Sequence, residues 1–189
     1  MDAEGSSPVN VPGACSRPAR PAARRLVVVV RSWEAGGQEG MSAVHTQREA
    51  DEAQIKHQVA RIAEGIRAKD LQVLRPIYAT DVVSFDVEPP LQHVGVQAKL
   101  KNWANVFAVF RDADYEVRGL SVAVGDDVAF GHCFGRLHGT LMNGTATKGI
   151  WVRVTFCFRK LDGAWQIVHD QASVPFDVLS GRGVADLEP

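Results

Sequence analysis

ATKGIWVRVTFCFRKLDGAWQIVHDQASV, residues 146–174, is the stretch that decides the fold. Two runs rich in β-branched and aromatic residues flank Asp162-Gly163, a dipeptide whose members both tolerate positive φ and so close a tight hairpin. A connection that short forces its two strands to be antiparallel. Successive side chains on a strand point to opposite sides. Ile150, Val152, Val154, Phe156 and Phe158 therefore share one face, and Trp151, Arg153, Thr155, Cys157 and Arg159 share the other. Along the last strand Trp165, Ile167, His169, Gln171 and Ser173 fall on one side.

Upstream, turn signals at Gly125-Asp126-Asp127 and Asn143-Gly144 divide the chain into further strands at about 114–125, 127–142 and 146–160, with 164–174 the last. On the second of these, His132, Phe134, Arg136 and His138 share a side. Asn143-Gly144-Thr145 also fits a glycosylation sequon, but a hairpin turn accounts for it without a secretion signal. Ahead of the strands, Val96, Leu100, Trp103, Phe107 and Phe110 give a helix opened by Gly95, with one broad apolar face. Val82–Val87 is a short β-branched strand closed by Pro89-Pro90. Asp70 can cap a short helix through Leu71, Leu74 and Ile77, which Pro76 ends or kinks. Ile55, Val59, Ile62 and Ile66 recur at helical spacing behind Asp51 and Glu52, acids suited to the positive end of a helix.

Residues 1–40 mix Pro, Gly, Ala and Arg without helical period or strand alternation, so they are expected to be disordered. Met41 is followed at once by a polar lead into the first helix, and the native start is expected there, with the domain over 41–178 and a flexible tail over 179–189. The whole chain of 189 residues carries a formal charge of −1, which argues against nucleic acid or an anionic membrane as partner. Its longest aliphatic run, Leu26–Val30, is too short for a membrane span or a signal-peptide core, and a cytosolic protein is expected. Cys15, Cys133 and Cys157 are odd in number and lack C-x-x-C spacing, so neither a disulfide framework nor a zinc site is expected. His132 and Cys133 are adjacent on a strand and point to opposite faces, which also excludes them as a metal pair.

The order α-α-β-α-β-β-β-β, with its long strands late, resembles the NTF2-like superfamily: an α+β cone in which a curved antiparallel sheet wraps three N-terminal helices around an internal pocket. The ending Trp165-Gln-Ile167-Val-His169-Asp-Gln171-Ala-Ser173-Val-Pro175 is similar to the SnoaL-like, ketosteroid-isomerase-homologue branch, whose last strand reads W-x-I-x-H-x-H-x-S-x-P. Gln171 stands in place of the second histidine. The resemblance also singles out Asp86. It lies nine residues before the Gly95 that opens the third helix, the spacing at which ketosteroid isomerases carry a general-base aspartate. The same comparison puts Ile62 and Val154 where the isomerase has its Tyr and Asp oxyanion donors, so isomerisation of that type is not expected.

Asp86, His169 and Arg153 are therefore the candidate catalytic residues, and Trp103, His132, Gln171 and Tyr78 the candidate ligand-binding residues. Arg153, His169, Gln171 and His132 are expected to point into the cavity and meet Asp86 and Trp103 there. Structural readings stand beside these: Asp86 as a loop cap, Trp103 as core, and Arg153 as a buried cation neutralised by Asp170, Asp86 or backbone carbonyls without chemistry. The apolar face of the third long strand would then lie outside and be covered by a second copy of the chain, giving a homodimer. The resemblance implies a small apolar carbonyl compound in the pocket and isomerase, cyclase or dehydratase chemistry needing no cofactor. The alternative is a non-catalytic ligand-binding or dimeric assembly domain.

Overall fold

The computed structural model describes residues 37–189, with side chains from residue 44 onward. The expectations for residues 1–36 lie outside the described residues. Helix α1 spans Gly37–Ala68 and so begins ahead of Met41. Asp51 and Glu52 consequently lie within the helix and not at its start. Asp51 is buried and serves tertiary structure: it accepts hydrogen bonds from Lys160 Nζ at 2.8 Å and Trp165 Nε1 at 3.0 Å, fastening α1 to the far end of the sheet. Ile55, Val59, Ile62 and Ile66 are all buried, as their spacing requires.

Asp70 caps α2, Leu71–Leu74, by accepting from the Gln72 amide, and a 3-10 turn over Arg75–Ile77 contains Pro76. The chain then enters β1, Tyr78–Phe85, and pairs briefly with β2, His93–Val94. Helix α3, Val96–Val109, leads into the long strands β3, Phe110–Val124, and β4, Val128–Leu141. The expected third strand is divided. Ala146–Thr147 forms β5, a break with Gly149 at φ 66° follows, and β6 runs Trp151–Leu161. Asp162 and Gly163 both adopt positive φ, 51° and 81°, and deliver β7, Ala164–Ser173. A small hairpin of β8, Phe176–Asp177, and β9, Arg182–Gly183, draws part of the expected tail back onto the preceding segment.

The main sheet has the order β2-β1-β7-β6-β4-β3, with β5 on β4. It is mixed and not wholly antiparallel, because β1 runs parallel to β7 while its other pairings are antiparallel. β1 and β7 are separated in the chain by α3 and strands β2 to β6, so no hairpin constrains their relative direction.

Two features of the register decide which side chains face inward. On β6 the apolar set faces the helices, with Val154, Phe156 and Phe158 buried, while Arg153, Thr155 and Arg159 are exposed. On β7 the register slips: Cys157 pairs with His169 but Phe158 pairs with Ile167, leaving Val168 as an extra residue. A bulge of one residue reverses the facing of everything after it. Trp165 and Ile167 are core residues before the slip, and Asp170 is the buried residue after it, with His169 turned away.

Candidate functional site

A cavity of about 450 Å³ opens between the concave side of the sheet and helices α1 and α3. Its wall is mainly apolar. Ile62 comes from α1, Trp103 and Val106 from α3, and Val152, Val154 and Phe156 from β6. Ile62 and Val154, the positions compared above with isomerase oxyanion donors, thus do face the pocket and offer no hydrogen bond to it.

The rim is acidic. Asp86 follows β1 directly and lines the mouth with Val87, Glu88 and Pro89. Its Oδ1 accepts from the Val87 amide and its Oδ2 from Asn102 Nδ2, each at 2.8 Å, so the carboxylate is oriented from both its own loop and α3.

The interior polar cluster gathers around Lys99. Val96, Leu100, Trp103 and Phe107 mark the inward stripe of α3, and Lys99 falls on it, four residues before Trp103. Lys99 is 4% exposed, and its ammonium lies 2.8 Å from Asp170 Oδ2 and 2.8 Å from Ser84 Oγ. It also stands 5.6 Å from the ring centroids of Tyr78 and Trp103. A buried charge of this kind needs a counter-charge and donors or acceptors around it, and Asp170 and Ser84 supply them. Trp103 Nε1 donates to the Tyr78 hydroxyl at 3.3 Å. Burial pushes the Tyr78 phenol well above its ordinary pKa of 10, and the neighbouring Asp170 and Asp86 charges push it the same way. Tyr115, which also lines the cavity, is raised for the same leading reason. Its hydroxyl makes no hydrogen bond among the described residues and is accommodated against Gly135, where a Cβ would come within 2.0 Å of it.

Four of the seven candidate residues meet at the cavity: Asp86, Trp103, Tyr78 and Gln171, the last from an exposed position at its edge. The other three do not. Arg153 is exposed on the outer side of β6 and donates from Nη2 to the Val174 carbonyl at 2.9 Å. His132 is exposed on the same side, opposite Thr155. His169, displaced by the bulge, places Nδ1 2.7 Å from the Val83 carbonyl and sets its ring edge-on to Phe85. The apolar face of β6 lines the cavity and core, so the expectation that it lies outside to seat a second copy is corrected. Lys99, Asp170, Ser84 and Asn102 were not among the expected site residues. Of these only Lys99 had a sequence signal, its place on an apolar helical stripe. Among the described residues no group of three or more His, Cys, Asp or Glu side chains is placed to hold a metal ion, and no helix is long and apolar enough to cross a membrane.

The described fold is shared with solved proteins. An NTF2-like protein of unknown function from Pseudomonas putida KT2440 superposes with a TM-score of 0.67 at 27% identity, over 75% of this chain and 98% of that one. An NTF2-like protein with a cystatin-like fold from Novosphingobium aromaticivorans gives 0.64 at 16% identity, over 78% and 97%. An NTF2-like superfamily protein from Salmonella enterica serovar Typhimurium gives 0.60 at 16%, over 71% and 96%. The last two are likenesses of fold alone. No curated protein matches the chain. Residues 55–177, well over half the sequence, match the profile of the SnoaL-like domain, and a chain with that match, an NTF2-like cone and a pocket between its sheet and helices belongs to the SnoaL-like domain family.

Proposed function

We propose that the cavity binds a neutral, apolar, carbonyl-bearing small molecule and that Asp86 transfers a proton on it, in a cofactor-free isomerase, cyclase or dehydratase reaction. The observation that carries this reading is the pairing of an apolar cavity of about 450 Å³ with a single oriented carboxylate at its mouth. The charges disfavour an anion, and the Lys99 ammonium opposes a cation at the inner wall. The one cation lining the cavity among the described residues, Lys99, is already matched by Asp170, and the rim adds Asp86 and Glu88, which repel anions.

In the chemistry this supports, a carboxylate oxygen of Asp86 takes a proton from the carbon beside the ligand's carbonyl. The C–H electron pair becomes the enolate, and the Tyr115 hydroxyl, held protonated and free to donate, hydrogen-bonds the developing oxyanion. Return of the proton to a different carbon completes an isomerisation. Small molecules co-purifying with the protein, identified by native mass spectrometry, supply the compound to assay. Asp86→Asn is expected to retain its binding, read as a thermal shift, and to lower its turnover by roughly a hundredfold or more. Equal turnover by wild type and Asp86→Asn removes the catalytic role.

A non-catalytic, dimeric reading has its own support. Both Asp86 oxygens are engaged as a loop cap would have them, and the outer side of β4 exposes Val128, Phe130 and Phe134. Under this reading a homodimer buries those side chains. Sedimentation at micromolar concentration tests it: wild type as a dimer and Phe130→Ser/Phe134→Ser as a monomer support it, and a monomeric wild type refutes it.

A further inference from the structure

We infer that the ligand carries a hydroxyl group at its inner end, held between the Tyr78 hydroxyl as donor and Asp170 Oδ1 as acceptor. This deepens the reading of the cavity as a pocket for an apolar carbonyl compound and rests on it.

The hydrogen-bond inventory of the inner wall leads there. Asp170 lines the cavity and is 6% exposed. Its Oδ2 is taken by Lys99, whereas its Oδ1 is buried and has no partner among the described residues. A carboxylate oxygen so placed forfeits solvation and is expected to be met by a donor from elsewhere. Tyr78, also on the wall, accepts from Trp103 Nε1, which leaves its own O–H without an acceptor among the described residues. Both groups surround the same ammonium: Lys99 Nζ is 2.8 Å from Asp170 Oδ2 and 5.6 Å from the Tyr78 ring centroid.

One unused acceptor and one unused donor are complementary to a group that both donates and accepts. An alcohol or phenol does so through a single oxygen. A ketone offers lone pairs alone and would face the carboxylate unfavourably. A carboxylate ligand would do worse, because the Lys99 charge is already neutralised. A ligand cation would satisfy Oδ1 but would set its charge against the Lys99 ammonium. The carbonyl of the proposed substrate therefore belongs toward Asp86 and the mouth, and the hydroxyl toward Asp170.

Three 4-arylbutan-2-ones of one skeleton test this: raspberry ketone, with a free phenol, anisylacetone, its methyl ether, and benzylacetone, with hydrogen at that position. Binding to the full chain is measured by titration calorimetry. The expected result is that raspberry ketone binds about tenfold or more tightly than either analogue, the effect of one hydrogen bond to a charged acceptor. Asp170→Asn, which presents an amide in place of the free oxygen, is expected to reduce that preference to within about twofold. If Asp170→Asn fails to fold, Tyr78→Phe serves: it removes the donor, keeps the ring, and should weaken raspberry ketone while leaving benzylacetone unchanged. Equal binding of all three ketones by wild type overturns the hydroxyl inference and leaves the apolar-carbonyl pocket standing. Binding of none overturns both.

Discussion

Lys99 Nζ sits 2.8 Å from Asp170 Oδ2 with both side chains almost wholly buried, joining α3 to β7 across the inner wall of the cavity. An ion pair in such a place gains strongly from its own attraction but has lost the solvation of two charges, so its net worth is small while the loss of one partner is severe. Lys99→Met strands a buried carboxylate and is expected to lower stability by about 3–5 kcal/mol in urea unfolding. The double variant Lys99→Met/Asp170→Leu should recover most of that loss. Additive losses in the double variant would show that the pair is not coupled.

The two tyrosines of the chain, Tyr78 and Tyr115, both line the cavity, and burial raises both phenols above the usual value of 10. A group whose pKa is raised by folding stabilises the fold below its unfolded value, and that contribution falls away as pH climbs above it. Tyrosinate absorbance is therefore expected to stay flat through pH 10 and then rise in one step together with the loss of near-ultraviolet circular dichroism. A phenol that titrates while the tertiary signal is intact would contradict the burial assigned to it.

Much of the fold was legible from short-range chemistry. Asp162-Gly163 predicts a tight hairpin and adopts positive φ at both residues, and the apolar spacing of Ile55, Val59, Ile62 and Ile66 predicts the buried stripe of α1. The site was legible mostly where a residue's place does not depend on counting along a strand, although Gln171, reached by such counting, also touches the cavity at its edge. Asp86 is fixed by its position ahead of Pro89-Pro90 and Gly95, and it reaches the cavity mouth. Parity counted from Trp165 turns His169 inward, and the extra residue Val168 reverses that parity and puts Asp170 there instead. Arg153 and His132 failed for a different reason. Their strands alternate as expected, but alternation does not say which face is inside, and in this cone the apolar face lines the cavity.

Asp51 offers an acid-side counterpart to the tyrosines. Burial works to raise its pKa, yet the hydrogen bonds from Lys160 and Trp165 outweigh it and hold the carboxyl below its ordinary 3.8. A depressed carboxylate stabilises the fold above its unfolded pKa, and this contribution disappears as pH falls through the folded one. Asp51→Asn is expected to cost about 1–2 kcal/mol at neutral pH, since a charge-assisted contact becomes a neutral one. It should also show a shallower loss of stability than wild type as pH falls below about 5, where the unfolded carboxyl begins to take up its proton ahead of the native one. Parallel stability curves for the two proteins would exclude Asp51 as a contributor to acid unfolding.

Asp86, His169 and Arg153 separate most sharply by where a perturbation is felt. Arg153 is exposed and, among the described residues, its side chain bonds the Val174 carbonyl alone, so Arg153→Ala should cost within about 1 kcal/mol of stability. His169→Ala removes the contact to the Val83 carbonyl and the edge of Phe85, and about 1 kcal/mol is expected there. Neither side chain lines the cavity, so both variants should bind benzylacetone as wild type does. Trp103→Ala opens the α3 wall and removes a ring that faces the ligand, and it is expected to weaken the same ketone by about tenfold or more. Affinity that falls with His169→Ala and not with Trp103→Ala would mean that the ligand lies on the outer side of the sheet.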